Sequence, residues 1–145
     1  MMKEIFTSRK MKLNATYQDK WEAIRATGEI LVEVGHINTN YIEQMIEREK
    51  LSTTYMGNGL AIPHGTNEAK QFVTSTGISL VQVPEGVDFG DGNIVYILVG
   101  IAAVADEHLD VLSQIAIFCS EEENVKKLIQ AQRKEEIIQL FQGGN

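Results

Sequence analysis

The 145-residue chain is 43% hydrophobic and 23% charged, the balance of a globular domain with enough apolar material to bury its own core. Its net charge of −7 argues against nucleic acid or anionic lipid as the primary partner, because both need basic surface. One cysteine, Cys119, leaves no intramolecular disulfide and no cysteine-based metal cluster. No stretch reaches the about 18 apolar residues of a membrane span, and the first dozen residues lack the apolar core of a secretion signal, so the expected address is cytoplasmic.

In chain order, residues 1–10 read as an extended lead-in with a short strand around Ile5 and Phe6. Thr16 followed by Asp19 resembles a capping box, which predicts a helix over 17–34. Trp21, Ile24, Gly28 and Leu31 recur at steps of three and four and mark its inward face, and Gly35 marks its stop. A second helix follows Asn38 and Thr39 and runs to about residue 50, with Tyr41, Ile42, Met45 and Ile46 as its apolar stripe. Arg48 stands seven after Tyr41 and three after Met45, which continues the buried side. It is either ion-paired or snorkelling there, or an anion-facing guanidinium at the rim of a cleft.

The stretch GNGLAIPHGT comes next. Leu60-Ala61-Ile62 is a short strand, Pro63 stiffens its end, and Gly65 allows a turn or close backbone approach after His64. The imidazole is therefore presented at a strand edge on a rigid support. Residues 78–83 alternate well enough for a half-buried strand, and PEGVDFGDGN, residues 84–93, is a loop with Asp88 and Asp91 as turn residues. Residues 94–101 form a continuous apolar run, as expected of a central strand buried on both faces. Asp106-Glu107-His108 opens a helix with Leu109, Leu112, Ile115, Ala116 and Cys119 inward. Ser120 and Glu123 form a capping box for the next helix, which carries Val125, Leu128 and Ile129. A last helix covers about 134–141 and ends at Gly143-Gly144. With no repeat or linker, residues 1–145 read as a single α/β domain, a sheet between layers of helices.

Neither GxxxxGK(S/T) nor a GxGxxG after a strand occurs, which argues against a nucleotide as reactant. No serine sits in a GxSxG elbow. Of the three histidines, His36 follows a glycine in a helix connection and reads as solvated, without a role. His108 falls in the first turn of a helix after a buried strand, a position where anions bind in open α/β folds; its alternative is plain packing. His64 and His108 as zinc ligands lack a third ligand at a recognisable spacing, which disfavours a metal-dependent hydrolase. A histidine can also act as nucleophile toward a phosphoryl group. Arg48, the helix start at His108 and the backbone N–H groups of Gly65 and Thr66 would then receive the phosphate oxygens. Such a reaction needs neither metal nor cofactor.

GLAIPHGT, preceded by EREKLSTTYMG and followed by PEGVDFG and IAAVADEHLDVLSQIA, resembles the enzyme IIA domains of the mannitol/fructose class of the phosphoenolpyruvate-dependent sugar phosphotransferase system. The resemblance runs from about residue 5 to residue 141, and EREKL and DEHLDVL look most like the mannitol-specific branch. It implies a mixed β-sheet flanked by helices on both sides. It also implies that the phosphocarrier HPr phosphorylates His64, at Nε2, and that His64 passes the group to a cysteine of a IIB domain, coupled to sugar entry through a membrane-embedded IIC domain. By the family pattern Arg48 holds the phosphoryl oxygens, and His108 stabilises the phosphate or His64 itself. No IIB-like or IIC-like segment is present, so the resemblance implies a stand-alone IIA meeting its partners in trans, with Cys119 no acceptor. Some mannitol-type members carry an acid and a serine where this chain has Asn58 and Gly59, a departure that bears on the basicity of His64 and on the sugar. The alternatives are a nitrogen-related regulatory IIA, which binds partners according to its phosphorylation state, and a fructose-specific IIA.

Overall fold

The two apolar runs in the middle of the sequence become the two long strands around which the other elements are layered. The computed structural model describes residues 7–104 and 107–143, so the expected strand at Ile5 and Phe6 lies outside the described residues, as do Ala105 and Asp106. The strands are β1 (Met11–Lys12), β2 (Tyr55–Gly57), β3 (Leu60–Ala61), β4 (Gly77–Asp88) and β5 (Ile94–Ala102). They form one mixed sheet in the order β1-β4-β5-β3-β2. β4 and β5 make an antiparallel hairpin, whereas β1 joins β4 and β3 joins β5 in parallel. The apolar run read as a central strand is indeed central.

Helices α1 (Lys20–Glu33) and α2 (Asn40–Leu51) cover one face, and α3 (His108–Cys119), α4 (Glu122–Gln130) and α5 (Lys134–Gly143) the other. The strands alternate to serve both: Leu80, Ile97, Val99 and Ile101 join the α3–α5 core, while Val81, Val83, Leu98 and Ala102 join the α1–α2 core. A mixed sheet flanked on both sides is the architecture expected from the sequence. Among the described residues no helix is long and apolar enough to cross a membrane.

Several local expectations change. Asp19, not Thr16, caps α1: its carboxylate accepts the Glu22 N–H at 2.9 Å, so the helix starts at Lys20. β4 is buried throughout Gly77–Val83 rather than half-buried, because its polar residues are satisfied internally. Ser79 donates to the Thr27 carbonyl at 2.9 Å. The Gln82 amide donates to the carbonyls of Leu128, Ile129 and Ala131 at 3.0, 3.2 and 2.7 Å, closing the C-terminus of α4. The expected loop at 84–93 shrinks to 89–93: the strand continues past Pro84 through an irregular register, and Val87 and Phe89 gain burial that favours the extension. Of the two expected turn residues, Asp91 is one, with φ 55°, whereas Asp88 is the last residue of β4 and accepts the Gly90 N–H at 2.7 Å.

On α3 the inward residues are Val111, Ile115 and Cys119, and Leu109 is 77% exposed, so the helix is rotated from the expected phase. Ser120 does not cap α4; its hydroxyl donates back to the Ile117 carbonyl at 2.7 Å. Cys119 is a buried structural thiol, pushed up to about 12 by burial and therefore a poor nucleophile.

Candidate functional site

The site is assembled from a hairpin, a strap and the C-terminal end of a helix. Gly57, Asn58 and Gly59 all have positive φ (102°, 55° and 82°), and this left-handed run turns β2 back into β3. Gly59 has no room for a side chain: a Cβ would stand 2.8 Å from the Tyr96 ring. Its carbonyl accepts the N–H groups of both Tyr96 and Ile97, at 2.8 and 3.1 Å, a bulge that locks β3 against β5.

Beyond β3 the chain becomes a strap held from both sides. Ile62 N–H donates to the Thr54 carbonyl at 3.1 Å, and Ile101 N–H donates to the Pro63 carbonyl at 2.9 Å. Pro63 has no N–H to satisfy, so it fits between these two bonds. His64 bridges Ile101 in parallel. After it, Gly65 N–H donates to the Tyr41 hydroxyl at 2.9 Å, and that hydroxyl donates to the Ile101 carbonyl at 2.9 Å. The phenol of α2 is thus spliced between strap and sheet. A Cβ on Gly65 would lie 2.7 Å from the Tyr41 ring, which is the close approach expected of this glycine.

The support is as stiff as the sequence predicts, but the imidazole is not presented openly, since His64 is only 9% exposed. Its Nδ1 lies 2.8 Å from the Ile62 carbonyl. A carbonyl can only accept, so Nδ1 carries the proton and Nε2 carries the lone pair. Burial holds the imidazole below the ordinary histidine range, and the Arg48 charge adds to this; the Ile62 bond and the Glu49 charge act in the opposite direction. The neutral ring is therefore the resting form near pH 7, the state a nucleophile requires.

Arg48 departs from its expected place. It is half-exposed, and the neighbouring Glu49 takes the buried side of α2. Its guanidinium donates to the Ser52 carbonyl at 2.7 Å and to the Ser52 hydroxyl at 3.2 Å, closing the end of α2 while remaining within electrostatic range of His64. The Gly65 N–H, expected to receive phosphate oxygens, is instead committed to Tyr41. His108 is the first residue of α3, and its side chain lies outside the described residues. The start of α3 is tied to β4 by Thr76, whose hydroxyl donates to the Glu107 carboxylate and accepts the Val104 N–H. Among the described residues no group of three or more His, Cys, Asp or Glu side chains is placed to hold a metal ion.

His36 is not solvated as expected. Its Nδ1 is 2.8 Å from the Ser75 hydroxyl, its Nε2 is buried without a protein partner, and its ring covers Gly77. Tyr41, whose hydroxyl joins the strap to the sheet, is the residue of this site that sequence reading missed. It reads as one apolar position of a helical stripe, and only its phenolic oxygen, an obligatory partner when buried, hinted at more.

Comparison with known proteins places these features in context. Residues 4–143 match the model of the family described as phosphoenolpyruvate-dependent sugar phosphotransferase system, EIIA 2. The chain is 53% identical over 141 residues to the mannitol-specific phosphotransferase enzyme IIA component of Geobacillus stearothermophilus, covering 97% of each chain. It is 49% identical over 138 residues to the protein of the same name from Bacillus subtilis, covering 95% of this chain and 96% of that one. Among solved structures, the complex of IIA mannitol and phosphorylated IIB mannitol from Escherichia coli superposes with a TM-score of 0.90 at 36% identity, over 95% of this chain and 97% of that one.

Proposed function

The chain belongs to the EIIA 2 family of the phosphoenolpyruvate-dependent sugar phosphotransferase system, and on that premise we propose that His64 is its phosphoryl acceptor. The protein is a phosphoryl carrier. It takes the group from the phosphocarrier HPr and passes it to a cysteine of a mannitol-specific IIB domain. Residues 1–145 work as one IIA domain. Its place is the cytoplasm, and its association with the membrane is indirect, through IIB and IIC components.

The observation that carries the reading is the bond from His64 Nδ1–H to the Ile62 carbonyl. It leaves the lone pair on Nε2, which attacks phosphorus as the bond to the HPr imidazole breaks. The ring gains positive character as the new P–N bond forms, and the Nδ1–H···O=C contact stabilises that charge. In the second step a cysteine thiolate of IIB attacks phosphorus, the P–N bond breaks, and His64 returns to its neutral tautomer. Arg48 supplies charge to the phosphoryl oxygens, and His108 is assigned, by the family pattern, the stabilisation of the phosphate or of His64 itself. Leu51 and Met56, exposed at 77% and 46% beside the end of α2 and in β2, provide apolar surface for protein docking. Mannitol is the sugar favoured by the high identity to the two mannitol-specific relatives.

Incubation with phosphoenolpyruvate, enzyme I and HPr should add one acid-labile, base-stable phosphate, and His64→Ala should abolish it. Unchanged stoichiometry in that variant would refute the assignment. Offered mannitol and fructose IIB domains side by side, the phosphorylated protein should transfer to the first. Transfer to neither would favour the regulatory alternative.

A further inference from the structure

Glu49 follows Arg48 on α2 and faces the opposite way. Its side chain is fully enclosed, at 0% exposure, although an ionised carboxylate is seldom buried without partners. One oxygen, Oε1, accepts from the Thr54 N–H at 2.8 Å and from the Thr54 hydroxyl at 2.7 Å. The other, Oε2, lies 3.3 Å from Lys20 Nζ on α1. That ammonium also donates to the Phe89 carbonyl at 3.2 Å and stands over the Trp21 and Phe89 rings. A buried ion pair of this kind adds little net stability over an apolar replacement, so stability alone does not account for its presence.

The hydrogen bonds run on from this carboxylate toward the reacting ring. Thr54 is itself 5% exposed, and its carbonyl accepts the Ile62 N–H at 3.1 Å. The Ile62 carbonyl then accepts His64 Nδ1–H at 2.8 Å. Two residues therefore separate the buried charge from the imidazole, and each is held on both sides. Thr54 heads the strand that turns at Gly57-Asn58-Gly59 into the strap, so fixing it fixes the start of the whole hairpin.

We propose that Glu49 is a positioning residue for His64: by holding Thr54 it sets the Ile62 carbonyl, and through that carbonyl it selects the imidazole tautomer with its lone pair on Nε2. The inference deepens the phosphoryl-acceptor reading and rests on it for its catalytic consequence, whereas the tautomer is a property of the resting protein. The negative charge of Glu49 also raises the proton affinity of His64 where Arg48 lowers it, so adjacent residues of α2 act on one ring with opposite signs.

Nitrogen-15 NMR of the histidine rings in the full, unphosphorylated chain reads the tautomer directly, with no phosphoryl donor present. Glu49→Ala should shift His64 away from the Nδ1–H form. It should also slow single-turnover acceptance from phospho-HPr by about 10²-fold, the scale of a misplacement near 1 Å. Thr54→Val, which deletes one of the two bonds to Glu49, should move both readouts in the same direction by less, and Thr54→Ser should restore them. A folded Glu49→Ala with unaltered His64 ring signals overturns the proposal. Should Glu49→Ala fail to fold, unaltered ring signals in Thr54→Val overturn it instead. If the tautomer shifts while phosphate labels a residue other than His64, the acceptor assignment fails and the positioning role of Glu49 stands.

Discussion

His64 and His36 make an instructive pair, because they occupy the same end of the sheet and share one physical property. His64 bridges Ile101 on β5, and His36 covers Gly77, whose register partner is the adjacent Ala102. Burial is the largest influence on both rings, and it pushes both below the ordinary histidine range. They differ in what holds Nδ1. For His64 the partner is a carbonyl, which only accepts, so one tautomer is selected. For His36 it is the Ser75 hydroxyl, which donates or accepts, so the bond selects neither, and Nε2 is closed in without a protein partner. Burial favours the neutral ring in both; the one-way hydrogen bond of His64 fixes which of its nitrogens carries the proton.

The largest effect that separates the two rings should come from Arg48. Arg48→Ala should slow phosphoryl acceptance by about 10²–10³-fold, as loss of one charge-stabilising donor does. It should leave the fold intact, because the guanidinium is half-exposed and, among the described residues, bonds only its own helix end. An unaltered transfer rate would take Arg48 out of the site and leave burial and the Ile62 hydrogen bond as the properties that set His64 apart from bulk histidine.

Tyr41→Phe should have the next largest effect. It strips the Gly65 N–H and the buried Ile101 carbonyl of their shared partner, at a cost of about 1–3 kcal/mol. The unfolding free energy from urea titration should fall by that amount, and the His64 signals should broaden or move while those of His36 stay in place. Equal stability in the variant would mean that strap and sheet close directly and the phenol is dispensable. The buried Tyr41 hydroxyl, pushed up to about 12, stays protonated throughout the working range and keeps its donor role.

The smallest effects are titration shifts, which sharpen the comparison most cleanly. Both imidazole midpoints should lie below about 6.5. Arg48→Ala should raise that of His64 alone, and Lys10→Met that of His36 alone, since Lys10 is the cation acting on the latter. The stability consequence has one sign for both rings. With folded midpoints depressed, the unfolded chain binds more protons in the interval, so their contribution is complete above about 6.5 and declines as pH falls toward the folded midpoints. A pair of NMR titrations and a denaturation series between pH 5 and 8 check this; midpoints above the ordinary value would refute it.

Much of the architecture could be read from short-range pattern. The apolar run of β5 announced a central strand, the stripe Tyr41, Ile42, Met45 and Ile46 is wholly buried on α2, and Gly35 stops α1 with φ 85°. The misreadings have a common cause. Residues 78–83 read as a half-buried strand, yet Ser79 and Gln82, on its opposite faces, are both buried because Thr27 and the last carbonyls of α4 accept their hydrogen bonds. Thr16 and Ser120 fit capping patterns, but Asp19 caps α1 and the Ser120 hydroxyl turns back to Ile117. In each case a polar side chain had two chemically equivalent options, and the partner that settled the choice was brought near by the fold.

The same division runs through the site. The sequence alone determined that a histidine would stand on a rigid support, because Pro63 and Gly65 restrict the backbone on either side of it whatever surrounds them. Its motifs also carried the family resemblance that the comparisons bear out. Only the tertiary structure decided which of two neighbouring charges would be enclosed. Arg48 and Glu49 are separated by a single helical step, and periodicity favoured the arginine. Lys20 arriving from α1 and Thr54 returning through the hairpin give the carboxylate three hydrogen-bond donors, and that compensation for desolvation is what buries Glu49 and leaves Arg48 at the rim beside His64.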